Sequence, residues 1–225
     1  EVLVNHIRPG DVIVRLASFG QATYETEYNG GMGSNGLTAA RHDVLSKKYA
    51  EKYPESFDPH LPDAVVYTGN QQLTDLITVP DGAGTQQISV GKLILSPTRT
   101  YLPVLQEILR HHRKKIHGLI HVTGGGQTKA LKFVKDVHLV KDNLFELPPL
   151  FRLIQQSSGT DWREMYQIFN MGHRLEIYLS PKNADAVMAV AEKYGIEARI
   201  IGRVKRGQGE RVTVKSPYGV FDYGA

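Results

Sequence analysis

The chain has 225 residues, of which 41% are hydrophobic, enough for a substantial buried core. It holds no apolar run of about twenty residues and no signal-peptide pattern, so we expect neither a membrane span nor secretion. Cysteine is absent, which excludes disulfides, thiolate metal sites and cysteine nucleophiles. The net charge of +4 is spread along the chain, which fits a phosphate-bearing small molecule as well as nucleic acid. We expect a globular, cytoplasmic protein.

The N-terminal part predicts a strand, a glycine-rich loop and a helix. Residues 12–17 are rich in β-branched side chains and predict a largely buried strand. Glycines recur over residues 20–36, and from Leu37 the apolar residues follow helical spacing. The loop therefore leads into a helix N-terminus. There Ser34 and Asn35 can cap the helix or donate to a phosphate, and capping is the commoner role.

The middle of the chain predicts an excursion followed by regular elements. Residues 54–91 are rich in Pro, Gly, Asp and Gln and predict an ordered or mobile insertion within one domain. A short strand is predicted at 92–95, a helix at 101–110, and a strand at 117–122 that enters three consecutive glycines. The basic run at 111–115 falls in the last turn of that helix, where cations complement the helix dipole.

The C-terminal part predicts three helices, two strands and a terminal hairpin. Gly159 stops the first helix, Asp161 caps the second, and Ser180 with Pro181 begins the third. The tail predicts a hairpin around residues 207–209. Strands and helices mix along the whole length without a repeat. We therefore predict an α+β (mixed α/β) fold, one sheet with helices packed on one face, in a single domain over residues 1–225.

The strongest candidate site is the segment GLIHVTGGG at residues 118–126. Three glycines after a strand let backbone amides approach an anion, and a helix beginning at Thr128 would add a partial positive charge. A tight turn that needs positive φ angles explains the glycines equally well. His121 lies just ahead of the loop, where ligand sites of parallel sheets gather, although a hydrogen-bonded core histidine is the commoner finding.

A further candidate is Asn170, in the segment FNMG between a helix and a strand. Its amide can orient a polar group of a substrate, and a helix terminus that favours Asn and Gly explains it as well. The metalloprotease, EF-hand, Walker and nucleophile-elbow motifs do not occur in the sequence. A complete catalytic set is therefore not visible in this chain.

Six motifs in order resemble the aminoimidazole ribonucleotide synthetase family. They are GDVIVRLAS, GSNG before a helix with Arg41, SPTRTY, GLIHVTGGG, PPLFRLIQ and EMYQIFNMG, between Gly10 and Gly172. The resemblance implies the C-terminal half of an ATP-dependent cyclo-ligase that converts formylglycinamidine ribonucleotide to aminoimidazole ribonucleotide in purine biosynthesis. The start at Glu1 instead of methionine suggests a piece of a longer chain, and we expect it to be inactive alone.

The resemblance also implies cofactors, partners and site residues. ATP and Mg²⁺ would bind mainly on the N-terminal half, and no metal ligand is expected here. The expected partners are a small-molecule nucleotide substrate and the chain's own N-terminal domain, in a homodimer of the full-length protein, with neither membrane nor nucleic acid. The implied substrate-phosphate ligands are Thr123, Gly124, Gly125 and Gly126; the polar or acid/base group is His121; the orienting groups are Ser34, Asn35 and Asn170.

The chain departs from the family pattern in two ways. Many relatives carry a His immediately before SNG, where this chain has Gly33, so no role of that histidine transfers. The segments 21–32 and 52–87 are longer than expected, which leaves their local structure open.

Three alternatives remain at this point. The first is a sister enzyme of the superfamily, such as formylglycinamidine ribonucleotide synthetase, selenophosphate synthetase, thiamine-monophosphate kinase or a hydrogenase maturation factor. The second is a basic nucleic-acid-binding module that uses residues 111–115 and 203–211. The third is a folded interaction domain that docks to its missing half or to another protein.

Overall fold

The computed structural model describes residues 2–34 and 36–224, and all statements about the structure refer to these residues. The strands are β1 (Val12–Ala17), β2 (Leu76–Asp81), β3 (Gly84–Ser89), β4 (Ile116–His121), β5 (Val137–Lys141), β6 (His173–Leu179), β7 (Ala198–Arg206), β8 (Glu210–Ser216) and β9 (Gly219–Gly224). The helices are α1 (Leu37–Val44), α2 (Lys48–Lys52), α3 (Val90–Ile94), α4 (Leu102–His112), α5 (Pro149–Ser158), α6 (Trp162–Ile168) and α7 (Ala184–Lys193). Short 3₁₀ helices lie at Pro54–Ser56, Asp63–Val65, Arg113–Lys115, Gly126–Phe133 and Pro181–Asn183.

A seven-stranded sheet in the order β4-β6-β1-β7-β5-β8-β9 organises the chain. Neighbouring strands are antiparallel except β5 and β8, which are parallel. The hairpin β2–β3 forms a separate two-stranded sheet. No helix of the described residues has the length and apolar character needed to cross a lipid bilayer.

Helices cover both faces of the large sheet. Ile13 packs in a core with residues of α1, α3, α5 and α6, whereas Val14 and Leu16 pack in a second core with α4 and α7. The predicted mixed α/β class is confirmed, but the placement of helices on one face needs correction. Strand β6 is buried at every position, and a strand that is buried on both sides requires cover on both sides.

Several predicted elements are confirmed. The strand at 12–17, the helix after Leu37, the helix near 101–110 and the strand near 117–122 all form. Gly159 ends α5 in the left-handed region at φ 67°, and the Asp161 side chain accepts from the amide of Arg163 at 2.8 Å to cap α6. Ser180 stands at the N-cap of a 3₁₀ turn that leads into α7, without a capping hydrogen bond from its side chain.

The predicted strand at 92–95 is wrong, because this segment is part of helix α3. Ser89 caps the helix by accepting from the amide of Lys92 at 3.3 Å. Val90, Leu93 and Ile94 then share the buried face with helical spacing. A window of four residues was too short to show this period.

The predicted tail hairpin is also wrong. Strand β5 lies between β7 and β8, and Val137 pairs with Arg206 on one side and with Glu210 on the other. Gly207 passes close to the end of β5, since a Cβ there would lie 2.9 Å from the carbonyl carbon of Val137. The hairpin of the tail is β8–β9 instead, where Ser216 pairs with Gly219.

The long segment between α2 and α3 is ordered onto the rest of the fold. It contains two 3₁₀ turns and the hairpin β2–β3. Backbone pairing of Leu45 with Gln71 and of Ser46 with Gly69 fastens it to the end of α1. The sequence had left open whether this insertion is ordered or mobile, and its described residues form a packed excursion.

A buried ionic cluster joins three strands on one face of the sheet. Glu176 of β6 pairs with Arg15 of β1 and with Lys141 of β5, whose Nζ lies 2.6 Å from Glu176 Oε1. The Tyr178 hydroxyl donates to the other carboxylate oxygen. All four side chains are fully buried, and this burial lowers the pKa of Arg15 to about 9 and that of Lys141 well below its ordinary value. Glu176 therefore compensates two desolvated cations.

We expect Glu176→Gln to lower the free energy of unfolding by about 3 kcal/mol, because it leaves two buried cations without a countercharge. Glu197→Gln is the matched control, since Glu197 pairs with Arg199 at 2.9 Å on the surface. That change should cost less than about 0.5 kcal/mol. Urea unfolding of both variants measures the difference, and equal losses would contradict the assigned role of Glu176.

Stability should also depend on pH through His173. This ring is buried and stacks on Phe145 with centroids 4.6 Å apart. Burial, followed by the charges of Arg15 and Lys141, holds the pKa of His173 well below 6.5. The unfolded chain therefore binds a proton that the folded chain does not, so this contribution is fully present above pH 6.5 and is lost as the pH falls below it.

Between pH 6.5 and 5 we expect His173 to contribute a slope of up to about 1.4 kcal/mol per pH unit to the free energy of unfolding. His173→Phe keeps a ring against Phe145 but cannot be protonated. Its unfolding free energy should therefore fall less steeply on acidification than that of the unchanged protein. Parallel slopes in urea titrations at several pH values would exclude this contribution.

Candidate functional site

The candidate site is built on the loop that follows β4. Gly125 and Gly126 have φ angles of 92° and 45°, in the left-handed region that favours glycine. A 3₁₀ helix begins at Gly126, in place of the helix expected to begin at Thr128. The amide and hydroxyl of Thr128 both donate to the carbonyl of Gly125, at 2.9 and 2.7 Å. These bonds fix the turn.

Two backbone amides of this loop are available to a ligand. Within the described part of the chain, neither the amide of Gly124 nor that of Gly125 donates to a protein acceptor. Both glycines are half-buried, as is Thr123. Lys129 lies beside the loop, since a Cβ on Gly125 would be 3.7 Å from its Cα. Unpaired amides beside a lysine form a suitable cradle for an anion.

Gly126 brings this loop against the end of helix α6. A Cβ at Gly126 would lie 2.5 Å from the carbonyl oxygens of both Tyr166 and Phe169. The next residue, Gln127, donates from Nε2 to the carbonyl of Asn170 at 3.1 Å. The loop after β4 and the FNMG segment are therefore in direct contact, as two candidate segments of one site.

Asn170 connects the FNMG turn to the glycine loop before α1. Its Nδ2 donates to the carbonyls of Gly31 and Met32 at 3.0 and 3.2 Å. Its Oδ1 accepts from Ser18 Oγ at 3.1 Å and from the amide of Gly172 at 2.8 Å. Asn170 is buried, and its amide group is engaged within the fold, so its direct effect is to position the glycine loop.

Arg174 occupies the space beside Gly33. Its guanidinium donates to the carbonyl of Met32, and a Cβ at Gly33 would lie 2.1 Å from one of its nitrogens. Gly33 also has a φ angle of 67°. Gly33 thus leaves the space that the guanidinium of Arg174 occupies. A side chain at this position would require that guanidinium to move.

Ser34 lies at the end of the glycine loop, just before helix α1. Ser34 is exposed, and its amide donates to Thr98 Oγ1 at 3.2 Å. The N-cap of α1 is Gly36, so the predicted cap by the Ser34 side chain does not form, and Ser34 supplies only its carbonyl to the amide of Leu37. Asn35 lies outside the described residues.

His121 is the last residue of β4 and lies near the positive charges of Arg174 and Lys129. Its ring contacts the edge of Tyr101 at a centroid distance of 6.4 Å. Partial desolvation lowers the pKa of His121, and the charges of Arg174 and Lys129 lower it further. The imidazole is therefore neutral near pH 7 and able to accept a proton, in a surrounding that attracts anions.

Three positively charged residues were not predicted from the sequence. Arg174 and Lys129 supply the charge of the site, and Arg99 of the SPTR motif holds the chain where the glycine loop begins. Arg99 donates to the carbonyls of Ala17, Phe19 and Gly20, each at 2.9 Å, and pairs with Glu25. The signal for Arg174 was a lone cation in the otherwise alternating strand after FNMG.

The fold and the site together define a mixed α/β domain that offers a glycine-lined, cationic loop to an anionic ligand. The chain belongs to the AIR synthase related protein family, whose C-terminal domain model matches residues 8–215.

Sequence comparison gives relatives within this family. The chain is similar to the phosphoribosylformylglycinamidine cyclo-ligase of Methanopyrus kandleri, with 30% identity over 90% of this chain and 46% of the relative. The cyclo-ligase of Methanocaldococcus jannaschii is 35% identical over 52% of this chain and 33% of the relative. Among solved structures, T. maritima PurL complexed with FGAR has 15% identity and a TM-score of 0.47, over 97% of this chain and 27% of that one. The chain thus spans less than half the length of these relatives.

Gly126→Ala should destabilise the protein by about 3 kcal/mol or more, because the new Cβ meets two carbonyl oxygens in addition to the positive φ. Gly159→Ala is the matched control. Gly159 also has a positive φ, of 67°, but a Cβ there meets no described atom within 4 Å. It should cost only about 1–2 kcal/mol. Urea unfolding compares the two variants, and equal costs would show that the close approach at Gly126 is unimportant.

Proposed function

We propose that this chain is the C-terminal, substrate-binding half of an ATP-dependent cyclo-ligase that converts formylglycinamidine ribonucleotide to aminoimidazole ribonucleotide. The observation that carries the proposal is the loop after β4, where two amides have no acceptor among the described residues and lie beside Lys129 and next to His121. Membership of the family and similarity to two phosphoribosylformylglycinamidine cyclo-ligases support it.

In this proposal the substrate phosphate binds the backbone of Thr123, Gly124, Gly125 and Gly126. The loop provides amide donors without Cβ obstruction, and Lys129 adds a positive charge. Asn170 and Arg174 hold the glycine loop before α1. We assign contacts with the remainder of the substrate to Ser34 and Asn35. Holding both reacting groups of one substrate in place lowers the entropic part of the barrier.

The reaction assigned to the full-length enzyme has two steps. The amide oxygen of the substrate is first phosphorylated by ATP, which releases ADP and converts a poor leaving group into a good one. The amidine nitrogen then attacks the activated carbon, the ring closes, and phosphate leaves. The nitrogen must lose a proton in this step. We assign the role of proton acceptor to the neutral imidazole of His121.

ATP and Mg²⁺ belong, in this proposal, mainly to the N-terminal half. Magnesium would neutralise the triphosphate and prefers carboxylate and water oxygens. The described residues of this chain contain no group of three or more His, Asp or Glu side chains able to hold a metal ion. To this chain we assign the wall of the cleft that holds the nucleotide substrate. Its proposed partners are that N-terminal domain and, in the full-length protein, a second subunit in the cytoplasm.

Steady-state assays of the full-length enzyme test these roles through ADP release and formation of aminoimidazole ribonucleotide. Lys129→Ala should raise the substrate KM about tenfold, because a charge-assisted contact is lost. His121→Ala should lower kcat by about 100-fold or more. Lys132→Ala is the control on the same 3₁₀ helix, where its exposed side chain should leave both constants unchanged.

Two outcomes would reject the proposal. A folded full-length protein that binds ATP without cyclising this substrate would indicate a sister reaction. Normal turnover by His121→Ala would remove the proton-acceptor role. We expect this chain alone to be inactive and to gain activity when the N-terminal half is added.

A further inference from the structure

A cavity lies between α1 and the long insertion. Its volume is about 360 Å³, and its walls come from α1, α2, the 3₁₀ turn Pro54–Ser56, Tyr67 and the end of α3. None of its lining residues belongs to the glycine loops or to the FNMG segment. Cavities of this size accept a single small organic ligand.

Three tyrosine rings give this cavity an aromatic wall. Tyr49, Tyr53 and Tyr67 all line it, and the rings of Tyr49 and Tyr67 are 6.5 Å apart. Tyr53 is 41% exposed, so its ring is accessible from solvent. An exposed aromatic face of this kind stacks favourably on planar heterocycles.

Tyr67 is held rigidly in an unusual backbone conformation. Its φ angle is 47°, which is uncommon for a bulky side chain. Its amide donates to His42 Nδ1 at 3.2 Å, and its hydroxyl donates to Ser56 Oγ at 2.9 Å. Strained residues that are fixed by their surroundings cluster at ligand sites. Contacts within the fold therefore fix this part of the wall.

The cavity also offers one cationic and one anionic side chain. The guanidinium of Arg41 donates to the carbonyl of Ser56 at 3.1 Å, while its buried Nε has no hydrogen-bond partner among the described residues. Glu55 lines the same space, and no ion pair of the described residues joins it to Arg41. Arg41 can donate to a ring nitrogen or carbonyl, and Glu55 can accept from an exocyclic amine.

We propose that this cavity binds a nucleobase, a planar heteroaromatic ring that carries both hydrogen-bond donors and acceptors. The ring stacks on the exposed face of Tyr53 and bonds to Arg41 and Glu55, in the space that Tyr49 and Tyr67 also line. A single nucleoside fits the volume. The site is separate from the loop after β4, so the proposal stands whether or not the chain belongs to a cyclo-ligase.

Isothermal titration of the 225-residue chain with adenosine and with guanosine tests the site. At least one nucleoside should bind with a Kd below about 1 mM. Tyr53→Ala should weaken binding about tenfold or more, since a stacking face is lost. Arg41→Gln should weaken it as well, while Tyr218→Ala should not. Tyr218 is a matched control because it is 36% exposed and lies at the β8–β9 turn.

Ribose 5-phosphate serves as the second probe, because it lacks a base that could stack on Tyr53. Tyr53→Ala should leave its binding unchanged, and a loss of its binding in this variant would contradict a role limited to stacking. The absence of binding of both nucleosides at millimolar concentration would overturn the proposal. Unchanged nucleoside affinity in a folded Tyr53→Ala protein, verified by its thermal unfolding, would overturn it too.

Discussion

The pairing of Glu176 with Arg15 and Lys141 is the constraint on which the arrangement of the sheet and the site depends. Each partner comes from a different strand, and the three strands are distant in sequence. A buried cation is tolerated only near a countercharge, so a shift of β1 or β5 along the sheet would leave a desolvated charge unpaired. The cluster therefore favours one strand register over others that would bury similar apolar surface.

Lys141 connects the same ionic cluster to the candidate site. Its Nζ donates to the carbonyl of Gln127 at 2.8 Å, directly below the loop after β4. Gln127 in turn donates to Asn170, and Asn170 holds the carbonyls of Gly31 and Met32. A continuous set of buried hydrogen bonds thus runs from the ionic core to both glycine loops. Such hydrogen-bond networks rigidify the groups that they connect.

The sequence predicted those local features that a particular residue type favours for a single physical reason. Successive glycines after a strand predicted the loop at 123–126, and Gly159 and Asp161 predicted two helix boundaries that the structure confirms. The sequence did not predict features that depend on contacts between distant segments. Nothing local in residues 205–212 shows that β5 enters between β7 and β8. Likewise, the positions of Arg174 and Lys129 beside His121 depend on tertiary packing. Of these three residues, only His121 was predicted as part of the site.

Gly33 and Arg174 form a pair in which the missing side chain of one makes room for the other. The volume beside Gly33 holds a guanidinium, so a positively charged group lies next to the glycine loop and near His121. Because Arg174 is rooted in β6 beside Glu176, its position is set by the rigid sheet and not by the loop. The charge that acts on His121 is therefore fixed by the core of the fold, whereas a side chain at position 33 would move with the loop.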